Sequence, residues 1–210
     1  MTPTTAQPTT YGHDAAFPQF SVARYQRMIE VGILTAEDKV ELLENYLVLK
    51  MTRNPPHDST IQRMMEALFV RRPKGWSWRS QSAIMLRDSQ PEPDFALVRG
   101  SAEDYQAQHP TPVDIALVIE VADSSLLRDQ RDKTRIYARG GIPTYWLVDL
   151  VDNRLEVYSQ PSGPTEVPAY GTFQTLAPGD DIPILIEGVS VVSMPVADLL
   201  PTKGQRRSRS

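Results

Sequence analysis

Apolar and polar residues along the chain follow patterns that predict three amphipathic helices among several strands. The first helix follows Ser21, a residue suited to capping a helix. The second covers 61–69, with Asp58 or Ser59 as its cap, after a loop that contains two prolines. The third spans 126–141 and ends in two glycines. Strand patterns occupy 41–51, 76–86, 95–98, 115–121, 144–150 and 154–159, with short strands at 171–200.

This order of elements predicts an α/β chain of the α+β kind, with a mixed central sheet flanked by helices. The strand IALVIEV, 115–121, is apolar on both faces, as expected of a central strand covered from both sides. One domain is predicted at 17–201. Residues 1–16, rich in Thr, Pro and Ala, and the basic segment 202–210 are predicted to be disordered tails, the second either solvated or in contact with phosphate.

The composition is that of a globular protein, with 40% hydrophobic and 23% charged residues in 210. No apolar run approaches the roughly 18 residues of a membrane helix, so no membrane partner is expected, and the first residues lack the features of a secretory signal. The chain has no cysteine, which suits the cytoplasm. Because the formal net charge is −4, a nucleic-acid partner would need a local basic patch.

Two carboxylates lie at the ends of apolar strand patterns. Glu120 lies near the end of IALVIEV, and Asp94 directly precedes FALV. A buried carboxylate without a partner is costly, so such a group is normally neutralised, paired or bound to a metal. If these two strands pair, Asp94 and Glu120 could together hold a hard cation such as Mg²⁺. The alternative is a pair of strand-end carboxylates in water.

Lys133 adds a third group to this hypothesis. At about 100° per residue, it shares one stripe of the third helix with Leu126, Ile136 and Tyr137. The lysine could reach the Asp94–Glu120 pair, pair with Asp129 four residues earlier, or extend its amine to water. The opposite side of the same helix is predicted to form either a solvated face or a basic ridge for phosphates, with Arg128, Arg131, Arg135 and Arg139.

The segments "EPDFALV" and "ALVIEVADSSLLRDQRDKTRIYARGGIPTYWLVDL" resemble the Uma-two family of bacterial endonucleases, within the PD-(D/E)xK nuclease superfamily. The upstream "VELLENYLVLKM…PPH" also resembles this family, and the similarity covers about 20–200. The resemblance implies a restriction-endonuclease-like core, a mixed sheet with a helix on each side and extra strands. Glu44 and Asn45 occupy a turn where the family shows an acid and a glycine, and Asn tolerates the left-handed conformation.

The resemblance also implies a set of site residues. Asp94 and Glu120 correspond to the two acids of the motif, and with the backbone carbonyl of Val121 they would bind Mg²⁺ or Mn²⁺. The usual lysine position is Ala122 here, but the family carries its lysine on the next helix, which matches Lys133. Glu41 matches a further acid, either a metal or water ligand or a salt-bridged strand residue. Candidates to contact substrate or to support the metal ligands are His57, Glu92, Asp129 and Tyr137.

The leading hypothesis is therefore a metal-dependent DNA endonuclease that hydrolyses phosphodiester bonds. The alternative is a protein of nuclease fold that binds nucleic acid or a partner without cutting it, because a fold does not fix an activity. Cutting both strands of DNA commonly uses two sites, so a homodimer is compatible with the hypothesis, although no residue in the sequence demonstrates one.

Overall fold

The computed structural model describes residues 18–123 and 125–201, so the two predicted tails lie outside the described residues. The helices and strands, in chain order, are α1 (Val22–Glu30), β1 (Val40–Leu43), β2 (Tyr46–Leu49), α2 (Pro55–Phe69), β3 (Trp76–Ser80), β4 (Phe95–Arg99), β5 (Ile115–Ala122), α3 (three consecutive segments, Leu126–Arg128, Asp129–Lys133 and Thr134–Gly140), β6 (Thr144–Asp149), β7 (Arg154–Pro161), β8 (Tyr170–Leu176), β9 (Asp181–Ile186) and β10 (Val189–Pro195).

A six-stranded sheet forms the centre of the fold, with the strands in the order β3-β4-β5-β6-β7-β8. β5 and β6 are parallel, and every other neighbouring pair is antiparallel. The crossover between β5 and β6 is α3, as expected because parallel neighbours need a long connection. The structure confirms the predicted mixed central sheet with flanking helices and extra antiparallel strands.

Different elements cover the two faces of this sheet. On one face, α2 and the β9–β10 hairpin pack over alternate residues of β5, such as Leu117, Ile119 and Val121. On the other face, α3 and the β1–β2 hairpin pack over Val118 and Ala122. Glu120 lies between these last two residues in the strand alternation, so its side chain points toward α3. This position brings a carboxylate of the central strand against the helix that carries Lys133.

The β1–β2 hairpin turns at Glu44 and Asn45, which both have positive φ, 49° and 68°. The left-handed conformation at both central residues is that of a type I′ turn, which joins adjacent antiparallel strands. Residues 41–51, one strand pattern in the sequence, are therefore two short strands in the structure. The hairpin orients Glu41 of β1 toward α3, where it contacts Lys133.

Two predicted boundaries are wrong. α2 begins at Pro55 rather than near residue 59, because Asn54 caps the helix by accepting the His57 N–H (3.1 Å). Prolines are tolerated in the first turn of a helix, where their missing N–H groups need no partner. The strand predicted at 76–86 ends at Ser80, and Gln81 follows with φ 49°. Within the described part of the chain, no helix is both long and apolar enough to cross a membrane.

Candidate active site

A polar cleft of about 90 Å³ lies between the β1–β2 hairpin, the start of α2, the ends of β4 and β5, and the start of α3. Carboxylates and cations both line it, and several of the carboxylates are buried. The acidic lining residues are Glu41, Glu92, Asp94, Glu120, Asp123 and Asp129, and the cationic ones are Lys50, Arg53, Arg128 and Lys133.

Asp94 and Glu120 come together where β4 and β5 pair. The ladder joins Phe95 to Ile119, so the next position places Asp94 opposite Glu120. The Asp94 N–H donates to Glu120 Oε2 (3.4 Å), and the Val121 N–H donates to Asp94 Oδ2 (2.9 Å). Both carboxyl groups are buried, with 6% and 7% of each residue exposed. The strand pairing assumed from the sequence is therefore present, and the two acids share one end of the cleft.

Lys133 lies against Glu120 of this pair and is itself buried, with 4% exposed. Its Nζ is 2.9 Å from Glu41 Oε2 and 3.3 Å from Glu120 Oε1. Burial alone would lower the pKa of the lysine, but Glu120, Glu41 and Asp129 outweigh it and raise the pKa above its usual range. The amine is therefore charged, and it links Glu41 to Glu120 rather than pairing with Asp129 alone.

Glu41 binds two cations. Its Oε1 is 2.7 Å from Arg128 Nη2, and its Oε2 accepts from Lys133 and from the Glu92 N–H (3.3 Å). Burial opposes ionisation of Glu41, yet Lys133 and Arg128 outweigh this effect and lower its pKa. In the structure, Glu41 is therefore a salt-bridged strand residue, which is one of the two alternatives considered from the sequence. Its contact with Lys133 holds the lysine beside Glu120.

The predicted outward position of Arg128 is wrong, because α3 is not a regular α-helix. Asp129–Lys133 form a π-helical turn, in which the Thr134 N–H donates to the Asp129 carbonyl five residues earlier. Such a turn brings residues five apart to the same side, and Arg128 and Lys133 are five apart. A wheel at about 100° per residue separates them, whereas the structure places both on Glu41.

The other three arginines do not line the cleft. Arg135 and Arg139 both pair with Glu44 in the β1–β2 turn, and Arg139 is also 3.1 Å from Asp88 Oδ2. Arg131 is 2.8 Å from Asp132 Oδ1. The Glu44 pairs attach α3 to the hairpin. Together with the pairs to Asp88 and Asp132, they neutralise much of the predicted basic ridge.

The cluster of buried carboxylates is short of positive charge. Burial raises the pKa of Glu120 to about 8, with Lys133 opposing and the neighbouring Asp94 and Asp129 adding to the increase. Burial also raises the pKa of Asp129 to about 6, against the hydrogen bond from Ser125 and the charge of Lys133. Both acids therefore hold their protons more tightly than exposed carboxyl groups do.

A divalent cation such as Mg²⁺ fits this shortage of positive charge. Asp94 and Glu120 supply hard carboxylate oxygens of the kind that Mg²⁺ prefers. The Val121 peptide borders Asp94 through its N–H, and its carbonyl is the predicted third oxygen. Within 18–123 and 125–201, no three His, Cys, Asp or Glu side chains are arranged as a ready metal site. The fit therefore depends on two carboxylates and the main chain.

The remaining predicted residues lie around the same site. His57 Nε2 is 3.3 Å from Asp94 Oδ2, and Tyr137 donates to Glu120 Oε1 (2.6 Å). Glu92 lines the cleft and pairs with Lys50 (2.6 Å). Tyr145 and Trp146, on the neighbouring strand β6, are buried in the core. The sequence interpretation missed further lining residues, which lie mostly in loops where periodicity gives no signal, namely Lys50, Arg53, Asn54, Asp123 and Ser125.

Comparisons with known proteins support a nuclease fold. A family model for Uma2, described as "Putative restriction endonuclease", matches residues 22–196. A crystal structure described as a "putative nuclease belonging to DUF820" from Anabaena variabilis ATCC 29413 is similar, with a TM-score of 0.64. The two chains are 13% identical, and the similarity covers 86% of this chain and 97% of the other, which at this identity shows a shared fold. The comparison with curated proteins gave no match.

Proposed function

This chain belongs to the Uma2 family, described as "Putative restriction endonuclease", and we propose that it is a metal-dependent endonuclease that hydrolyses phosphodiester bonds of DNA. The observation that carries the proposal is the buried Lys133 amine, 3.3 Å from Glu120 Oε1, in an acidic cleft that Asp94 also lines. Two acids with a surplus of negative charge and a fixed cation are what metal-assisted phosphodiester hydrolysis requires. A cytoplasmic location fits a chain without cysteine and is part of the proposal.

Each side chain of the site has a distinct role in the proposed reaction. Asp94, Glu120 and the Val121 carbonyl would hold Mg²⁺ or Mn²⁺. The bound ion would polarise the phosphate and lower the pKa of water. Lys133 donates an N–H to the attacking water or to a phosphate oxygen, where negative charge develops. Glu41 keeps Lys133 in place through its 2.9 Å contact, so we propose that it positions the lysine rather than binding the metal.

Supercoiled plasmid, linear duplex and single-stranded DNA incubated with the protein and Mg²⁺ or Mn²⁺ test this proposal. We expect cleavage that EDTA abolishes, and we expect Asp94→Asn and Glu120→Gln to reduce its rate by about 100-fold or more. Glu156→Gln is the matched control, since Glu156 is a buried strand acid outside the cleft. Pure folded protein that binds DNA and cuts none of these substrates with either metal would support the alternative, a nuclease fold that binds without cleaving.

A further inference from the structure

Most of the positive charge in the cleft is already neutralised by neighbouring carboxylates. A DNA backbone that enters the cleft would therefore meet a surplus of negative charge, apart from any bound cation. Three of the four lining cations form ion pairs at 2.6–2.9 Å: Lys50 with Glu92, Arg128 with Glu41, and Lys133 with Glu41. Arg53 is the fourth, and no carboxylate of the described residues lies within ion-pair distance of it.

A neutral group holds Arg53 in place. The segment between β2 and α2 presents Arg53 as an exposed side chain on the cleft wall. Its Nη1 donates to the side-chain oxygen of Gln81 (2.9 Å). Gln81 has φ 49°, a left-handed conformation that is uncommon for a residue with a side chain. An amide orients the guanidinium without cancelling its charge, unlike the carboxylates that hold the other three cations.

Gln81 also connects Arg53 to the acids of the site. The backbone N–H of Gln81 donates to the Asp94 carbonyl oxygen (3.0 Å). The hydroxyl of Ser80 donates to the same carbonyl (3.2 Å). The residue that orients Arg53 is thus attached to the residue that carries one of the proposed metal ligands. Gln81 thus joins the Arg53 side chain to the backbone of Asp94.

We propose that Arg53 binds a backbone phosphate of the substrate and that Gln81 positions it for this contact. The inference rests on the proposed nuclease function and names a residue that contributes one phosphate contact to the sequence-independent part of DNA binding. A guanidinium suits this task because its planar N–H groups bind two phosphate oxygens at once. By the same reasoning, Arg131, Arg135 and Arg139 are not the phosphate contacts of this cleft, because acidic partners hold them elsewhere.

The test is equilibrium binding of a short fluorescein-labelled DNA duplex in EDTA, measured by anisotropy at several salt concentrations. Arg53→Gln should weaken binding by about tenfold and reduce the slope of log K against log salt by about one. Arg53→Lys should recover part of the loss because it restores the charge without the planar fork. Arg27→Gln is the control, since Arg27 is exposed, pairs with Glu30 and lies outside the cleft.

A merely structural role for Arg53 would lower the melting temperature and leave the salt slope unchanged, which would overturn the inference. Gln81→Ala tests the positioning step: it should weaken binding in the wild-type background and have no further effect in Arg53→Gln. Equal effects of Gln81→Ala in both backgrounds would contradict that step. Wild-type protein that cleaves DNA while Arg53→Gln binds and cleaves equally well overturns this inference alone. Wild-type protein that neither binds nor cleaves DNA overturns the proposed function and the inference together.

Discussion

Two buried glutamates on neighbouring parts of the sheet face the same helix, and only one belongs to the candidate active site. Glu120 of β5 accepts from Tyr137 (2.6 Å) and lies 3.3 Å from the Lys133 amine. Glu156 of β7 has matching contacts: it accepts from Tyr158 (2.7 Å), from Arg154 (2.8 Å) and from Gln130 of α3 (2.8 Å). Each glutamate thus has a tyrosine donor, a cation and a contact to α3.

The two glutamates differ in their surroundings. Glu120 lines a cleft and has the carboxylates of Asp94 and Asp129 close enough to raise its pKa. Glu156 does not line that cleft, and both of its oxygens accept hydrogen bonds from neutral or cationic donors. A satisfied buried acid holds elements together, whereas an acid with too little positive charge and an opening to solvent can bind a cation. Burial of a carboxylate is therefore insufficient to identify a functional site.

Removing the cation from each glutamate should give the largest difference between the two regions. Lys133→Met deletes the ammonium and keeps most of the stem, so we expect metal-dependent DNA cleavage to fall by about 100-fold or more. Arg154→Met removes the matching cation from Glu156, and cleavage should change by less than a factor of about three, because the acids that pair with Arg154 do not line the cleft. Initial rates of plasmid nicking, at equal concentrations of folded protein, provide the measurement.

Arg154→Met should instead lower the stability of the folded protein. Arg154 bonds Glu156 and lies 3.0 Å from Asp149 Oδ2, and Asp149 is fully buried. Leaving these acids without their cation should lower the free energy of unfolding by about 1–3 kcal/mol, measured by denaturant titration. Loss of cleavage by folded Arg154→Met, or cleavage at the wild-type rate by Lys133→Met, would contradict the proposed difference between Glu156 and Glu120.

Much of the Glu120 region could be predicted from the sequence. The apolar run 115–121 has one position for a charged residue, and the helical stripe of Lys133, Ile136 and Tyr137 predicts the burial that the structure has. The sequence left open whether the lysine reaches Glu120, because that distance depends on how α3 packs on the sheet. In the structure, Glu41 of the β1–β2 hairpin contacts Lys133 and holds its amine beside Glu120.

Glu156 shows why the rest could not be predicted. In RLEVYS the alternation assigns Leu155 and Val157 to one face, so Glu156 is expected on a face open to water. Instead, α3 lies over that face and Gln130 reaches Glu156. The π-helical turn that orients Gln130, Arg128 and Lys133 has no recognisable sequence pattern, because it depends on contacts with β1 and β7. Such contacts join residues far apart in the chain, and periodicity reports only local structure.

Glu120 and Glu156 should also differ, by a smaller amount, in how they make the stability of the metal-free protein depend on pH. The folded-state pKa of Glu120 is about 8, against an ordinary value of 4.5, because burial disfavours its charge. The folded protein therefore binds this proton more tightly than the unfolded chain does. The stability from Glu120 is complete below pH 4.5 and is lost as the pH rises through about 8. In EDTA, the melting temperature should fall by about 5 °C from pH 6 to pH 8.

Glu120→Gln should remove most of this fall, and Glu156→Gln should retain it. His57 also changes its pKa on folding: burial lowers it, but the contact with Asp94 outweighs this effect and raises it above its usual value. The comparison of Glu120 with Gln is therefore made in a His57→Gln background. Asp129, with a pKa of about 6, affects the pH dependence of stability mainly below pH 6.

Mg²⁺ added at pH 8 should raise the melting temperature of the wild type and of Glu156→Gln, but not of Glu120→Gln. An equal rise in all three would remove Glu120 from the metal site.

The smallest expected difference comes from the two tyrosine hydroxyls, which form nearly equal hydrogen bonds to the two glutamates. Tyr137→Phe and Tyr158→Phe should each lower the free energy of unfolding by about 1 kcal/mol.

The rate of DNA cleavage should differ between Tyr137→Phe and Tyr158→Phe. Without the Tyr137 hydroxyl, the ionised form of Glu120 loses a donor, so its pKa rises and the carboxylate needed for metal binding becomes scarcer. We therefore expect Tyr137→Phe to need more Mg²⁺ for half-maximal cleavage and to cleave about threefold more slowly at pH 7, with the difference shrinking as the pH rises. Tyr158→Phe should match the wild type at every pH. Equal cleavage by both variants across the pH range would mean that the charge state of Glu120 does not control the site.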